Sequence, residues 1–173
     1  KAARFGVKSY ELCESSTGYT WNLFVYTGSD MKFTCPLINT ETQKSEAIVL
    51  ELVHQLFGKG YTLWMDNFYN NPYLAKLLKD QKTDCVGTIK LNRQGITKDI
   101  QKSKINKGEI QAVHSDDVSI TKWRDKRVVS LISTYHEVGM VSCTVNNKEV
   151  LKPGIVVEYN KNMGGVDLSD QML

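Results

Sequence analysis

Residues 60–91, GYTLWMDNFYNNPYLAKLLKDQKTDCVGTIKL, decide the fold class. The segment YTLWMD is apolar on both faces, as a central strand covered on each side must be, and it runs out into Asp66. Asn71 and Pro72 then provide an N-cap and a first helical residue whose missing N–H has no intrahelical partner in any case, so a helix opens over PYLAKLLK. CVGTIKL (85–91) has the composition of a further strand. Strand, helix and strand in so short a stretch predict an α/β arrangement.

Toward the N-terminus, SEAIVLELVHQLFGKG (45–60) places Val49, Leu52, Val53, Leu56 and Phe57 on one helical stripe, with Ser45 as N-cap and Gly58 or Gly60 as stop. Upstream, a strand from Phe5 to Cys13 and the alternating YTWNLFVY (19–26) flank the turn-like ESSTG. The expectation is an antiparallel hairpin with Tyr19, Trp21, Leu23 and Val25 on one face and Glu14 at the end of its first strand. Toward the C-terminus the period changes. Between Lys107 and Glu158 no helical stripe appears. Instead VSITKW and VVSLIST flank RDKR, and GMVSCTV and IVVEY follow as short strands. Residues 92–136 therefore read as a β-rich insertion, with 1–91 and 137–173 as the two parts of the layer it interrupts.

The chain has 173 residues, 41% hydrophobic and 24% charged, enough for a sizeable core. No apolar run approaches the ~20 residues that span a bilayer, and KAARFGVKSY lacks the apolar stretch of a signal peptide, so the expectation is a soluble intracellular chain without a membrane partner. Cys13, Cys35, Cys85 and Cys143 show no paired spacing, which suggests neither a zinc cluster nor a disulfide framework. The net charge of +3 is mild, but ten basic residues against five acidic ones lie between Lys90 and Arg127. That concentration fits a polyanion-binding segment, with Lys122, Arg124, Lys126 and Arg127 as candidate phosphate contacts; Lys-rich solvated loops share the pattern.

No GxSxG, GxxxxGK[ST] or HExxH motif is present, and His54, His114 and His136 are far apart. The acids are distributed differently. Glu14 ends the first strand, Asp66 ends YTLWMD, and Asp167 opens a helix behind Gly164 and Gly165, with Asp170 on the same helical face. Carboxylates gathered from strand ends repel one another unless a cation neutralises them, and hard oxygen ligands select Mg²⁺ or Mn²⁺. Two such ions can activate a water and stabilise the leaving oxygen of a phosphodiester. The competing reading is that Asp66 starts a turn with Asn67 and Asp167 merely caps a helix.

The segments LCESSTGYTW, LWMDNFYNNPYLAKLL, VGTIKLNR and YNKNMGGVDLSDQM, in this order, resemble the piggyBac transposase family, in particular its transposable element-derived members. The resemblance implies an RNase H-like catalytic core interrupted by a β-rich insertion, and cut-and-paste DNA transposition at TTAA targets with two Mg²⁺ or Mn²⁺ ions. It places the first acidic position on Glu14, the second on Asp66 and the third on Asp167, with Asp170 as an additional family aspartate. The founding transposase has Asp where this chain has Glu14. The resemblance further implies a catalytic-core fragment without the family's N-terminal DNA-binding and dimerisation portions or its C-terminal Cys/His-rich domain, a nuclear location, DNA as partner, and a homodimer in the full-length protein. Two functions follow: a metal-dependent transposase core, or a domesticated DNA-binding or chromatin-interaction module that does not cut.

Overall fold

Asn71 caps as its place before Pro72 implies: its side-chain oxygen accepts the Leu74 N–H at 2.9 Å, and helix runs over Pro72–Asp80. The structure, a computed structural model, describes residues 6–172, so Phe5, the expected start of the first strand, lies outside the described residues. In chain order the elements are β1 (Ser9–Cys13), β2 (Thr20–Val25), α1 (Lys44–Val53), β3 (Thr62–Met65), α2 (Pro72–Asp80), β4 (Asp84–Thr88), α3 (Lys98–Lys102), β5 (Ile110–Ser115), β6 (Val118–Arg124), β7 (Val128–Ser133), β8 (Met140–Val145), β9 (Lys148–Pro153), α4 (Gly154–Asn162) and α5 (Gly165–Gln171). This is a mixed α/β fold. Among the described residues no helix is long and apolar enough to cross a membrane. The chain divides into two units, one of residues up to Leu56 together with those from Gly164, the other Phe57–Met163.

In the first unit β1 and β2 pair antiparallel, with Tyr10 opposite Phe24 and a register shift between Leu12 and Cys13. α1 lays Ala47, Ile48, Leu50 and Val53 inward, and Asn22 of β2 donates to the Leu52 carbonyl at 3.0 Å. The cap is Gln43 rather than Ser45: the Glu46 carboxylate reaches back to the Gln43 N–H at 3.3 Å, a capping-box arrangement that an N-cap at Ser45 would forgo. Trp21, Leu23 and Val25 share one face of β2 as expected, and they and Tyr19 just ahead of the strand are exposed. α5 packs on β1.

The second unit holds a five-stranded sheet in the order β3-β4-β7-β6-β5, in which only β3 and β4 are parallel. The parallel pair is connected through α2, as parallel strands require a crossover. Val86, Trp123 and Leu131 form the sheet's buried patch, and Ile155 and Val156 of α4 cover it, with Trp64 and Tyr159 at its margin. β8 and β9 form a separate two-stranded hairpin.

Besides the cap of α1, two expectations differ from what is observed. IVVEY is not a strand but the body of α4. Its β-branched run carries strand propensity, yet Ile155, Val156 and Tyr159 share a helical face that the sheet buries, and tertiary burial outweighs propensities of a few tenths of a kcal/mol. Within residues 92–136, β5, β6 and β7 share one sheet with β4, because β4 presents an open edge that the antiparallel β7 completes from Val86↔Ser133 to Thr88↔Leu131. β3, expected as a central strand, is an edge of its own unit's sheet, where Met65 is still buried and Trp64 half-buried.

Candidate active site

Asp66 follows the last residue of β3 and stays exposed. Its Oδ1 accepts the Phe68 N–H at 2.8 Å, an Asx turn of the kind short carboxylates make at strand ends. The turn is held from two sides. The Arg93 guanidinium donates to the Asn67 and Phe68 carbonyls at 3.1 and 2.8 Å. On the inside, Asn70 is 1% exposed and its amide donates to the carbonyls of Met65, Asp66 and Thr88 at 3.1, 3.2 and 3.0 Å. That bracket spans the ends of β3 and β4 and exists because residue 87 is glycine: a Cβ there would collide with the Met65 carbonyl and the Asn70 amide. Tyr159 of α4 faces the same corner. Burial pushes its phenol above the ordinary value, a hydrogen bond with the Thr88 side chain opposes this, and the nearby Asp66 charge adds to the rise. Asn70, Gly87 and Tyr159 were not legible as site residues; the signal available was the NN pair ahead of Pro72, read only for its second member.

Glu14 and Asp167 both belong to the first unit. Glu14 directly follows β1; its carboxylate accepts the Thr17 hydroxyl, and its backbone N–H and carbonyl close the hairpin turn with Tyr19 and Gly18 at 2.8 and 2.9 Å. Asp167 is exposed in the first turn of α5, where the helix dipole favours an acid, and Asp170 is exposed one turn later. Of the glycine pair ahead of them, Gly164 borders open space and Gly165 does not. Neither backbone is left-handed. Gly165 is needed for close approach: a Cβ there would lie 3.0 Å from the Glu14 carbonyl and 3.3 Å from that of Cys13. Gly18 is left-handed at φ 74°, and a Cβ there would lie 2.8 Å from Ser169 N and 2.9 Å from Leu168 Cβ; Thr20 bonds Ser169 side chain to side chain at 3.0 Å. The start of α5 is thereby seated on the hairpin turn that carries Glu14. Asp66 belongs to the other unit.

The four candidate phosphate contacts separate. Lys122 is 4% exposed and its ammonium donates to the carbonyls of Ile100 and Ser103 at 2.9 and 2.6 Å, closing the C-terminus of α3. Arg124 donates to the Ile105 carbonyl at 3.0 Å. Lys126 and Arg127 are exposed in the β6–β7 turn. Of the histidines, His136 sits between the Ser133 hydroxyl and the Glu158 carboxylate, both at 2.9 Å, and burial holds its imidazole below the ordinary value against the pull of Glu158. Ser133 is fully buried and also caps the N–H groups of Tyr135 and His136, so the trio fixes α4 to the end of β7 rather than offering a nucleophile.

Exposed carboxylates are hard donors that suit Mg²⁺ or Mn²⁺. Among the described residues no group of three or more His, Cys, Asp or Glu is placed to hold an ion. A family model described as Transposase IS4 matches residues 1–173. Among solved structures, the piggyBac transposase synaptic complex with hairpin DNA, seen by cryo-EM, is similar with a TM-score of 0.79 and 26% identity, over 99% of this chain. The chain spans 35% of the length of that transposase.

Proposed function

This chain belongs to the Transposase IS4 family, the piggyBac-like transposases, and from that premise we propose that it is the catalytic portion of a DNA transposase with an RNase H-like layer. Glu14, Asp66 and Asp167 are the proposed catalytic carboxylates, and Asp170 supports Asp167 from the next helical turn. The observation that carries the reading is Asp66: an exposed carboxylate at a strand end, on a turn clamped by Asn70 and Arg93. Such fixation suits a reacting group, since a displacement of about 1 Å can cost on the order of 100-fold in rate.

When bound, Mg²⁺ or Mn²⁺ would supply Lewis-acid polarisation of the phosphodiester and an activated water or hydroxyl nucleophile. The chain's own part is to present oxygen ligands from Glu14, Asp66 and Asp167. DNA is the proposed partner, with Lys126, Arg127 and Arg124 contacting phosphates. TTAA targets, a homodimer of the full-length protein and a nuclear location belong to the same proposal through the motif resemblance.

The second reading, a DNA-binding module that no longer cuts, is favoured by one observation: the first acidic position is Glu14, whose longer side chain is engaged by Thr17. Nicking of a transposon-end duplex in Mn²⁺ by the full-length protein and its Glu14→Asp and Glu14→Ala variants separates the two. Cleavage by the natural protein that Glu14→Ala abolishes supports the catalytic reading. Cutting only after Glu14→Asp supports the silent module.

A further inference from the structure

We infer that Asn70 is the positioning residue for Asp66: its buried amide fixes where the Asp66 carboxylate leaves the sheet and so sets the metal dependence of cleavage. The inference rests on the reading of Asp66 as a catalytic carboxylate. An amide has two hydrogens, and here they are shared by three carbonyls, those of Met65, Asp66 and Thr88, at 3.1, 3.2 and 3.0 Å. Two of the three belong to the residue of interest and its immediate neighbour; the third is on the adjacent strand. The same residue's backbone N–H adds a bond to the Asp66 carbonyl at 3.3 Å. Asp66 is thus tied through its own carbonyl to the end of β4, while its Oδ1 is tied to the Phe68 N–H.

A surface turn does not need this construction. An ordinary Asx turn closes with the side chain of its first residue, already supplied by Asp66. Asn70 adds a buried polar group that is costly unless each donor is satisfied, and its place requires residue 87 to have no side chain, since a Cβ would strike both the Met65 carbonyl and the amide. Gly87 is itself unfavourable inside a strand. Two locally unfavourable choices, 17 residues apart, converge on the backbone of one exposed carboxylate. Groups that orient a metal-ligating or reacting side chain from behind typically change metal affinity or activity 10- to 100-fold when removed.

The test compares Asn70→Ala and Asn70→Ser, the latter keeping one donor, with Leu78→Val as a control that weakens the buried face of α2 without touching the corner. In the full-length protein, transposon-end cleavage is titrated with Mn²⁺ and with DNA. Asn70→Ala is expected to raise the Mn²⁺ concentration for half-maximal rate roughly 10- to 100-fold with the KM for DNA unchanged; Asn70→Ser should fall between it and the natural protein, and Leu78→Val should leave both constants in place. Hydrogen exchange of the Phe68 and Asn70 backbone N–H groups in the same proteins is the second measurement, and it needs no activity. Faster exchange at these two amides in Asn70→Ala, with the amides of β6 unchanged, supports positioning. Unaltered exchange there overturns the inference even if cleavage falls, and unaltered Mn²⁺ dependence overturns it even if exchange rises. Should the natural protein not cleave at any Mn²⁺ concentration, the catalytic reading fails, and the exchange data alone decide whether Asn70 holds the turn. If Asn70→Ala does not fold, Asn70→Ser against Leu78→Val carries the same comparisons.

Discussion

Lys122 shows how little a residue's type says about its task. In the sequence it belongs to a basic run; in the fold its ammonium replaces the missing helical donors at the end of α3. Lys122→Met leaves the Ile100 and Ser103 carbonyls without their donor in a buried place, so it is expected to destabilise by about 1–3 kcal/mol, read as a lowered urea midpoint, with the salt dependence of DNA binding unchanged. Glu51 has a comparable structural duty. Burial alone would raise its pKa, but the N–H groups of Cys35 and Thr34 and the Thr34 hydroxyl, at 2.9, 2.8 and 2.7 Å, prevail and hold it below the ordinary value. A carboxyl depressed in the fold contributes stability above its unfolded pKa and loses it as pH falls through the folded one. Urea midpoints measured from neutral pH down into the acid range are expected to drop less steeply for Glu51→Gln than for the natural chain. Equal slopes would show that this carboxylate carries no linkage.

At the scale of elements, α5 is held by what two glycines lack. Gly165→Ala puts a methyl 3.0 Å from the Glu14 carbonyl, a backbone atom that yields only if the helix or the hairpin turn moves, whereas Gly164→Ala meets nothing within 4 Å at a φ of −89°. The neighbouring substitutions should therefore diverge: Gly164→Ala close to neutral, Gly165→Ala destabilising by about 1–3 kcal/mol through overpacking, both read from thermal unfolding. α4 makes the same point about context. Ile155, Val156 and Val157 suit a strand, but Pro153 ends β9 and the face formed by Ile155, Val156 and Tyr159 closes the patch around Trp123. Its helical state depends on the sheet beneath it.

For the molecule as a whole, the basic excess between Lys90 and Arg127 shrinks on the surface. Lys122 is spent inside and Arg124, though exposed, also holds the Ile105 carbonyl, so Lys126 and Arg127 are the exposed pair of the β6–β7 turn with no such tie among the described residues. If both neutralise phosphates, replacing them with Ala is expected to lower affinity for all DNA sequences alike and to reduce the slope of log K against log salt by roughly 2. An unchanged slope, measured by titration at several salt concentrations, assigns the turn to solvent.

The sequence by itself determined the elements whose signals are local. The Asn71–Pro72 helix start, the alternation of β2, the hairpin about RDKR and the strand-end place of Asp66 each need only neighbours a few residues away, and each stands where the pattern put it. Tertiary structure decided what depends on distant partners. The β5–β7 strands join the sheet of β3 and β4 because an open strand edge recruits whatever antiparallel strand the chain returns to it, and no local pattern encodes that meeting. Asn70 and Gly87 matter through carbonyls on two strands at once, Gly165 through a turn some 150 residues earlier, and Lys122 through a helix end 20 residues away. These are matters of close approach and of buried donors finding acceptors, which short-range composition does not contain; periodicity reports which face is apolar, and only the folded chain reports what that face and its polar exceptions touch.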